Sequence, residues 1–416
     1  MKVRPFATPA TLVPPSRPAA GQPVDRLGPP VTLDEARQRL LGQPEKKPDP
    51  RKGRLLFEME GIRSLPWRSP AGQLVLGVVK QGLSPFEGQV ESRPASGNPL
   101  WSVQVKGKLT SQPVGYKDQV LVALADPHHL VSLDPATGAE RWSARNILAP
   151  LVLSGERMFA RSYEQEVVCL NPASGGRGWT AKPPGVPLEM TTIGDKLLAG
   201  SRISYQTGEG ALTVYQASTG ARQWEVSAQN ARFAADERHV FVADDREGPL
   251  RMLALESGQE VKAFDLRGRF FRPLLVDGDT LYLSRMSSGV SADLVALDIN
   301  TGQERWMARG KDSPDQMVKG DDGNLYVTER GFSGGGAVAC YTPGGEILWR
   351  GYVGSSPKVS VCPDGTVFTL NDFGHLRAFS APDAEEAKKA SETTGPLVFD
   401  FDDLVQVGDF ELEKQE

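Results

Sequence analysis

Residues 132–142 read SLDPATGAERW, and residues 296–306 read ALDINTGQERW. Weaker copies follow the same pattern: ESRPASGNPLW (91–101), CLNPASGGRGW (169–179), VYQASTGARQW (214–224) and CYTPGGEILW (340–349). A divergent copy, ALESGQEVKAF (254–264), ends in Phe. The closing aromatics are Trp101, Trp142, Trp179, Trp224, Phe264, Trp306 and Trp349, with successive gaps of 41, 37, 45, 40, 42 and 43 residues. A period of about 40–50 residues is that of one four-stranded propeller blade.

Each copy has a local physical logic. Alternating apolar residues such as Val131 and Leu133 make a half-buried strand. Asp134 or Asp298 then opens a turn, because its carboxylate accepts backbone N–H groups two residues on. Gly138 or Gly302 closes it, since glycine takes positive φ without a Cβ penalty. The next strand carries the indole, a large flat surface for packing between blades. Further hairpin signals lie upstream at SGER (154–157), DGDT (277–280), DDGN (321–324) and PDGT (363–366). Each unit is therefore four short antiparallel strands, A to D from the centre outward.

These residues resemble the PQQ-like, quinoprotein-type propeller repeat, whose signature is approximately A-x-D-x-x-T-G-x-x-x-W. Ala296, Asp298, Thr301, Gly302 and Trp306 match it fully, and Asp134, Thr137, Gly138 and Trp142 match with Ser132 in place of Ala. The likeness covers roughly residues 53–382 and implies a fold, not an activity. After Trp349 come KVSVC (358–362), TVFTL (366–370) and HLRAF (375–379), three strands with no fourth. RLLFEME (54–60) places Phe57 44 residues before Trp101, in step with the period. The expected architecture is thus all-β, an eight-bladed propeller whose last blade is completed by the N-terminal strand, which removes two sheet edges. A seven-bladed ring is the alternative.

The flanks differ from this body. Residues 1–52 hold eleven prolines and ten Lys/Arg against five Asp/Glu, a basic arm expected to be mostly disordered. Within it TLDEARQRLLG (32–42) predicts a short helix, with Thr32 as N-cap, Glu35 in the first turn and Gly42 as stop. Residues 383–416 carry eleven acids against three bases and end in PLVFDFDDLVQVGDFELEKQE. Phe399, Phe401, Leu404 and Phe410 belong to an apolar–acidic alternation, a common form of partner-binding peptide. Such a tail either pairs with its own propeller or orders on a partner.

Between the flanks the body is near neutral, so no concentrated basic face is offered to nucleic acid. No apolar run of about 18 residues is present, and the N-terminus shows neither an apolar signal core nor a lipoprotein-type cysteine, so a cytoplasmic location with no membrane span is expected. Cys169, Cys340 and Cys362 sit apart in apolar runs and read as small buried hydrophobes. The adjacent His128 and His129 point to opposite sides of an extended chain and read as a solvated turn, not a metal site.

For function, inner-strand polar residues that would line a channel are Arg63, Glu189, Arg232, Arg272 and Lys358; a mostly cationic channel would favour an anionic ligand. The longest B–C loops, 80–88, 205–210, 244–249, 285–293 and 330–336, predict a shaped recognition face with Phe86, Tyr205 and Phe332 as aromatic contacts. The resemblance also implies comparison with quinoprotein dehydrogenases, which use a Ca²⁺-type ion on Glu, Asn and Asp, a catalytic Asp and often adjacent cysteines. None of these can be placed here residue by residue. No catalytic residue, metal or cofactor is therefore expected. The sequence favours a monomeric, non-catalytic scaffold for a protein partner, with a quinone-dependent dehydrogenase or a small-anion or glycan binding module as alternatives.

Overall fold

The computed structural model describes residues 55–78, 87–243, 249–264, 266, 269–288, 291–309, 312–331, 335–354, 356–380 and 397–400. The predicted helix at 32–42 lies outside them, as do Phe86, Phe332, Phe401, Leu404 and Phe410. Strands form eight sheets, antiparallel throughout except for one added strand in blade 7. Blades 1 to 7 span residues 67–106, 108–145, 147–181, 186–227, 233–264, 269–308 and 313–352. In each, sequence order runs from the inner strand outward. The inner strand of blade 2 is broken into Lys108–Leu109 and Val114–Tyr116, both pairing with Gln119–Ala125.

Blade 8 comprises Lys358–Val361, Val367–Leu370 and Leu376–Phe379, and its outer strand is Leu55–Met59 from the other end of the chain. That pairing is antiparallel, with Leu55 opposite Phe379 and Met59 opposite Leu376. Blade 7 holds a fifth strand, Leu397–Asp400, on its outer edge.

The core is a ring of apolar layers between blades. The middle strand Gln119–Ala125 shows why its sequence, QVLVALA, is apolar on both faces. Val120 and Val122 pack with Val75 and Val90 of blade 1, whereas Leu121 packs with Met158 and Val168 of blade 3. Burying one such leucine contributes roughly 1.5–3 kcal/mol. The same arrangement recurs around the molecule to the layer in which Phe368, Leu370 and Leu376 of blade 8 meet Leu74 and Leu76 of blade 1. There Ile62 N donates to Gly374 O at 2.9 Å, and Arg68 ion-pairs with Asp364.

The repeat motif ties neighbouring blades together. The turn glycine of each motif lies against the aromatic of the preceding one: Gly138 on Trp101, Gly175 on Trp142, Gly220 on Trp179, Gly258 on Trp224, Gly302 on Phe264 and Gly345 on Trp306. These six glycines have φ between +68° and +89°, so the position demands both the left-handed backbone and the missing Cβ. Trp101, Trp179, Trp224 and Trp306 each donate Nε1–H to a carbonyl of the same turn, on Pro135, Ala217, Leu255 and Pro343, at 2.9–3.0 Å. Asp298 Oδ1 accepts from Asn300 N and Thr301 N at 3.0 and 2.8 Å, and Asp134 Oδ1 does the same with Ala136 and Thr137. Their second oxygens hold Arg305 and Arg141 at 2.6 Å. The Thr301 amide and Arg305 together keep the Asp298 carboxyl below the usual carboxylate range.

Candidate functional site

Among the described residues, the B–C turns of blades 2, 3, 4 and 8 project side chains on one face of the ring. Tyr163, Tyr205 and Phe373 are 62%, 68% and 73% exposed, and all three stand on B–C turns, in blades 3, 4 and 8. Among the described residues they are the exposed large aromatics. Ile203 beside Tyr205 is exposed too.

The turns under these rings are tightly bonded. In blade 3, Ser162 N donates to Glu166 O at 2.8 Å and Glu166 N to Ser162 Oγ at 3.2 Å, which pushes Tyr163 to the tip. Tyr163 N donates to Asn146 O, and Asn146 N to His128 O. The His128 ring stacks on Tyr163 with centroids 5.1 Å apart, so His128 is half-buried against a neighbouring turn and not simply solvated. In blade 4, Ile203 N and Ser204 N both donate to Glu209 O, and Gly208 N to Ser204 O. The Arg202 guanidinium lies over the Tyr205 ring at 4.9 Å. Arg161, on the adjoining strand of blade 3, donates to Pro187 O, and burial lowers its pKa while Tyr205 opposes the shift. Between blades 3 and 4 the face thus presents two tyrosines and an isoleucine on hydrogen-bonded turns, with two arginines at the ends of the strands that lead into them. Tyr and Arg on rigid turns are the residue types that carry binding energy at protein interfaces.

The inner-strand residues expected to line a channel are arranged differently. Glu189 lies on the inner strand of blade 4, and Arg232 stands just before that of blade 5. Arg232 Nη1 is 3.3 Å from Glu189 Oε2, and its Nη2 is 3.8 Å from Asp315 Oδ1 on the inner strand of blade 7. Arg330 reaches the other Asp315 oxygen at 3.0 Å. The arginine thus links the inner strands of blades 4 and 7, three blades apart, and its charge is answered by two carboxylates. Arg63 and Lys358 are exposed; Arg63 N donates to Gly77 O of blade 1, and Lys358 lies on the inner strand of blade 8. Arg272 lies within the strand Arg269–Asp277, and its side chain is outside the described residues.

Asp315 and Arg330 had no motif to single them out. One signal was present: Pro187-x-x-Met190 and Pro314-x-x-Met317 repeat on inner strands, and each prolines' neighbourhood carries a register bulge that turns an acid inward.

The opposite face holds a cleft of about 650 Å³ between blades 4 and 5, where Lys196 is paired with Glu256 at 3.0 Å beside Asp195 and Asp236. Among the described residues no group of three or more His, Cys, Asp or Glu side chains is arranged to hold a metal ion. Cys169, Cys340 and Cys362 lie in blades 3, 7 and 8, and burial pushes all three thiols up.

Comparison with known proteins gives the following. The family model described as outer membrane protein assembly factor BamB matches residues 87–233 and 214–329. No curated protein matches the chain. Among solved structures, BamB from Moraxella catarrhalis is similar at a TM-score of 0.56 and 15% identity, covering 79% of this chain and 99% of that one. The Dos1 propeller is similar at 0.59 and 12%, covering 79% and 95%. A europium-containing methanol dehydrogenase is similar at 0.52 and 10%, covering 76% and 84%. At these identities the structures establish a shared fold, which a binding protein and an oxidoreductase both use. Because the matched segments together span more than half its length, this chain belongs to the BamB-type family of PQQ-like β-propellers.

Proposed function

We propose that the protein is a non-catalytic scaffold that docks a protein partner on its B–C turn face. The observation that carries this reading is the fixed display of Tyr163 and Tyr205 beside Ile203, Arg161 and Arg202. Aromatic rings held by stacking and turn hydrogen bonds lose little conformational entropy on binding, so more of their contact energy reaches the complex. A closed ring adds a rigid base, since each blade is packed on two neighbours. The matching family model carries the name of an assembly factor, which agrees with a role in protein association.

The test is affinity capture with the full chain and with a Tyr163→Ala/Tyr205→Ala variant. Both side chains are exposed, so the variant should melt within about 1.5 °C of the parent, as each surface substitution stays within about 0.5 kcal/mol. Loss of the captured protein with unchanged melting supports the reading. An unchanged set of captured proteins refutes it. Titration of the parent with the quinone and Ca²⁺ addresses the dehydrogenase alternative: a saturable absorbance change, with dye-linked alcohol oxidation, would overturn the non-catalytic assignment.

A further inference from the structure

The outer strands of the eight blades are not alike. Seven of them are solvated: each has at least three exposed residues, in patterns such as ERWSAR and RQWEVS with charges flanking the indole. The outer strand of blade 7, Ile347–Tyr352, reads ILWRGY and, with Leu397–Asp400 seated on it, has none. Leu348, Trp349 and Arg350 are 2%, 1% and 8% exposed. The motif differs as well: GEILW stands where blades 2, 4 and 6 have GAERW, GARQW and GQERW, and blade 1, with GNPLW, carries its charge further along at Lys106. An outer edge without charge is the kind that accepts another strand, whereas charged edges refuse one.

Arg350 is the one charged residue on this strand, and it turns into the blade. Its Nη2 lies 2.8 Å from Glu329 Oε1, which also accepts from the Tyr341 hydroxyl at 3.0 Å. The pair spans the blade from its outer strand to its middle strands and holds the edge flat and uncharged. On that edge sits Leu397–Asp400 in parallel, with Trp349 opposite Leu397, Arg350 opposite Val398, Gly351 opposite Phe399 and Tyr352 opposite Asp400. Every blade strand otherwise pairs antiparallel, so this addition is not part of the repeat.

We propose that the outer edge of blade 7 is a strand-acceptor site for an extended apolar–acidic peptide, occupied in cis by the chain's own LVFD segment. The site is separate from the B–C turn face and stands without it. Backbone pairing supplies the contact, as in other strand-addition complexes, and the uncharged edge supplies the selectivity among blades. Four residues of parallel ladder form a weak contact, since parallel pairing is less stable per residue. The short connection from blade 8 raises the local concentration of the segment to the order of millimolar, which is enough to keep a weak site filled. The segment is therefore an exchangeable ligand and not a structural strand.

The experiment is hydrogen exchange on the full chain, on a chain ending at Gly395, and on a full-length Val398→Pro/Phe399→Pro variant, which keeps the tail but removes its pairing amides. Exchange within 347–352 should rise at least about tenfold in both variants, because a local opening replaces a paired edge. The outer strands Arg222–Ser227 and Glu304–Ala308 should stay as they are. A synthetic peptide of residues 396–403 at millimolar concentration should restore protection to the shortened chain and leave the parent unaffected; the same peptide with both prolines should do nothing. Unchanged exchange at 347–352, loss of protection shared by all outer strands, or no rescue by the peptide would each overturn the proposal.

Discussion

Replacing Gly220 by alanine tests the feature on which the blade packing rests. Gly220 has φ +75°, and a Cβ there would meet Trp179 Cδ2 and Cε3 at 2.5 Å. Carbon atoms pack at about 3.5–4.0 Å, so the indole has to retreat by about 1 Å or the turn has to open. Gly194, in the A–B turn of the same blade, has φ +58° and nothing within 4 Å of its added Cβ. Gly194→Ala therefore carries the left-handed backbone cost alone, about 1–2 kcal/mol. Gly220→Ala carries that cost plus overpacking of about 1–3 kcal/mol, for a sum of roughly 2–5. With an unfolding entropy of about 2.1 cal/mol/K per residue over roughly 325 propeller residues, 1 kcal/mol moves the melting midpoint by about 1.5 °C. The expected falls are about 3–7 °C for Gly220→Ala and about 1.5–3 °C for Gly194→Ala, read by circular dichroism at one scan rate. In a Trp179→Ala background the extra cost at Gly220 should vanish, a coupling that a double-mutant cycle isolates. Equal falls for the two glycines, or full additivity with Trp179→Ala, would show that the ring-on-glycine contact is not what the motif preserves.

Arg350→Met leaves the Glu329 carboxylate buried without its cation and should cost about 3–5 kcal/mol, whereas adding Glu329→Leu should recover most of that loss; urea midpoints of the two variants decide it. The lowered carboxyl of Asp298 contributes stability that is present above the unfolded value of 3.8 and is lost as pH falls through its folded value. Asp298→Asn should therefore lower the urea midpoint at neutral pH and flatten its acid limb below 3.8. Removal of residues 1–60 takes the outer strand from blade 8 and bares the edge of Leu376–Phe379. The shortened chain should melt lower and show concentration-dependent association by light scattering; an unshifted, monomeric product would refute a closing role for Leu55–Met59.

Much of this molecule could be read from its residues in order. Asp134, Gly138 and Trp142 act within one turn or across one interface, and each does a job that few other residue types can do. Recurrence at one period then implied wedges around a ring, because a unit that cannot bury its own faces must bury them on copies of itself. Phe57 in step with that period was enough to nominate the outer strand of blade 8. The tyrosine of the blade 4 turn was legible as well, since loop aromatics on a rigid sheet are exposed by default.

What the chain order could not carry were the encounters between residues far apart in sequence. Arg232 reads as a free channel cation until the ring sets it between Glu189 and Asp315, 43 residues before it and 83 after. Tyr163 gains its meaning from the neighbouring blade's His128, Tyr205 from Arg161 of blade 3, and Leu397–Asp400 gains its place from the edge of blade 7, whose single charge is turned onto Glu329. Local conformational preference is written residue by residue and survives in the sequence. Charge pairing, ring stacking and edge pairing depend on distances that exist only once the ring has closed.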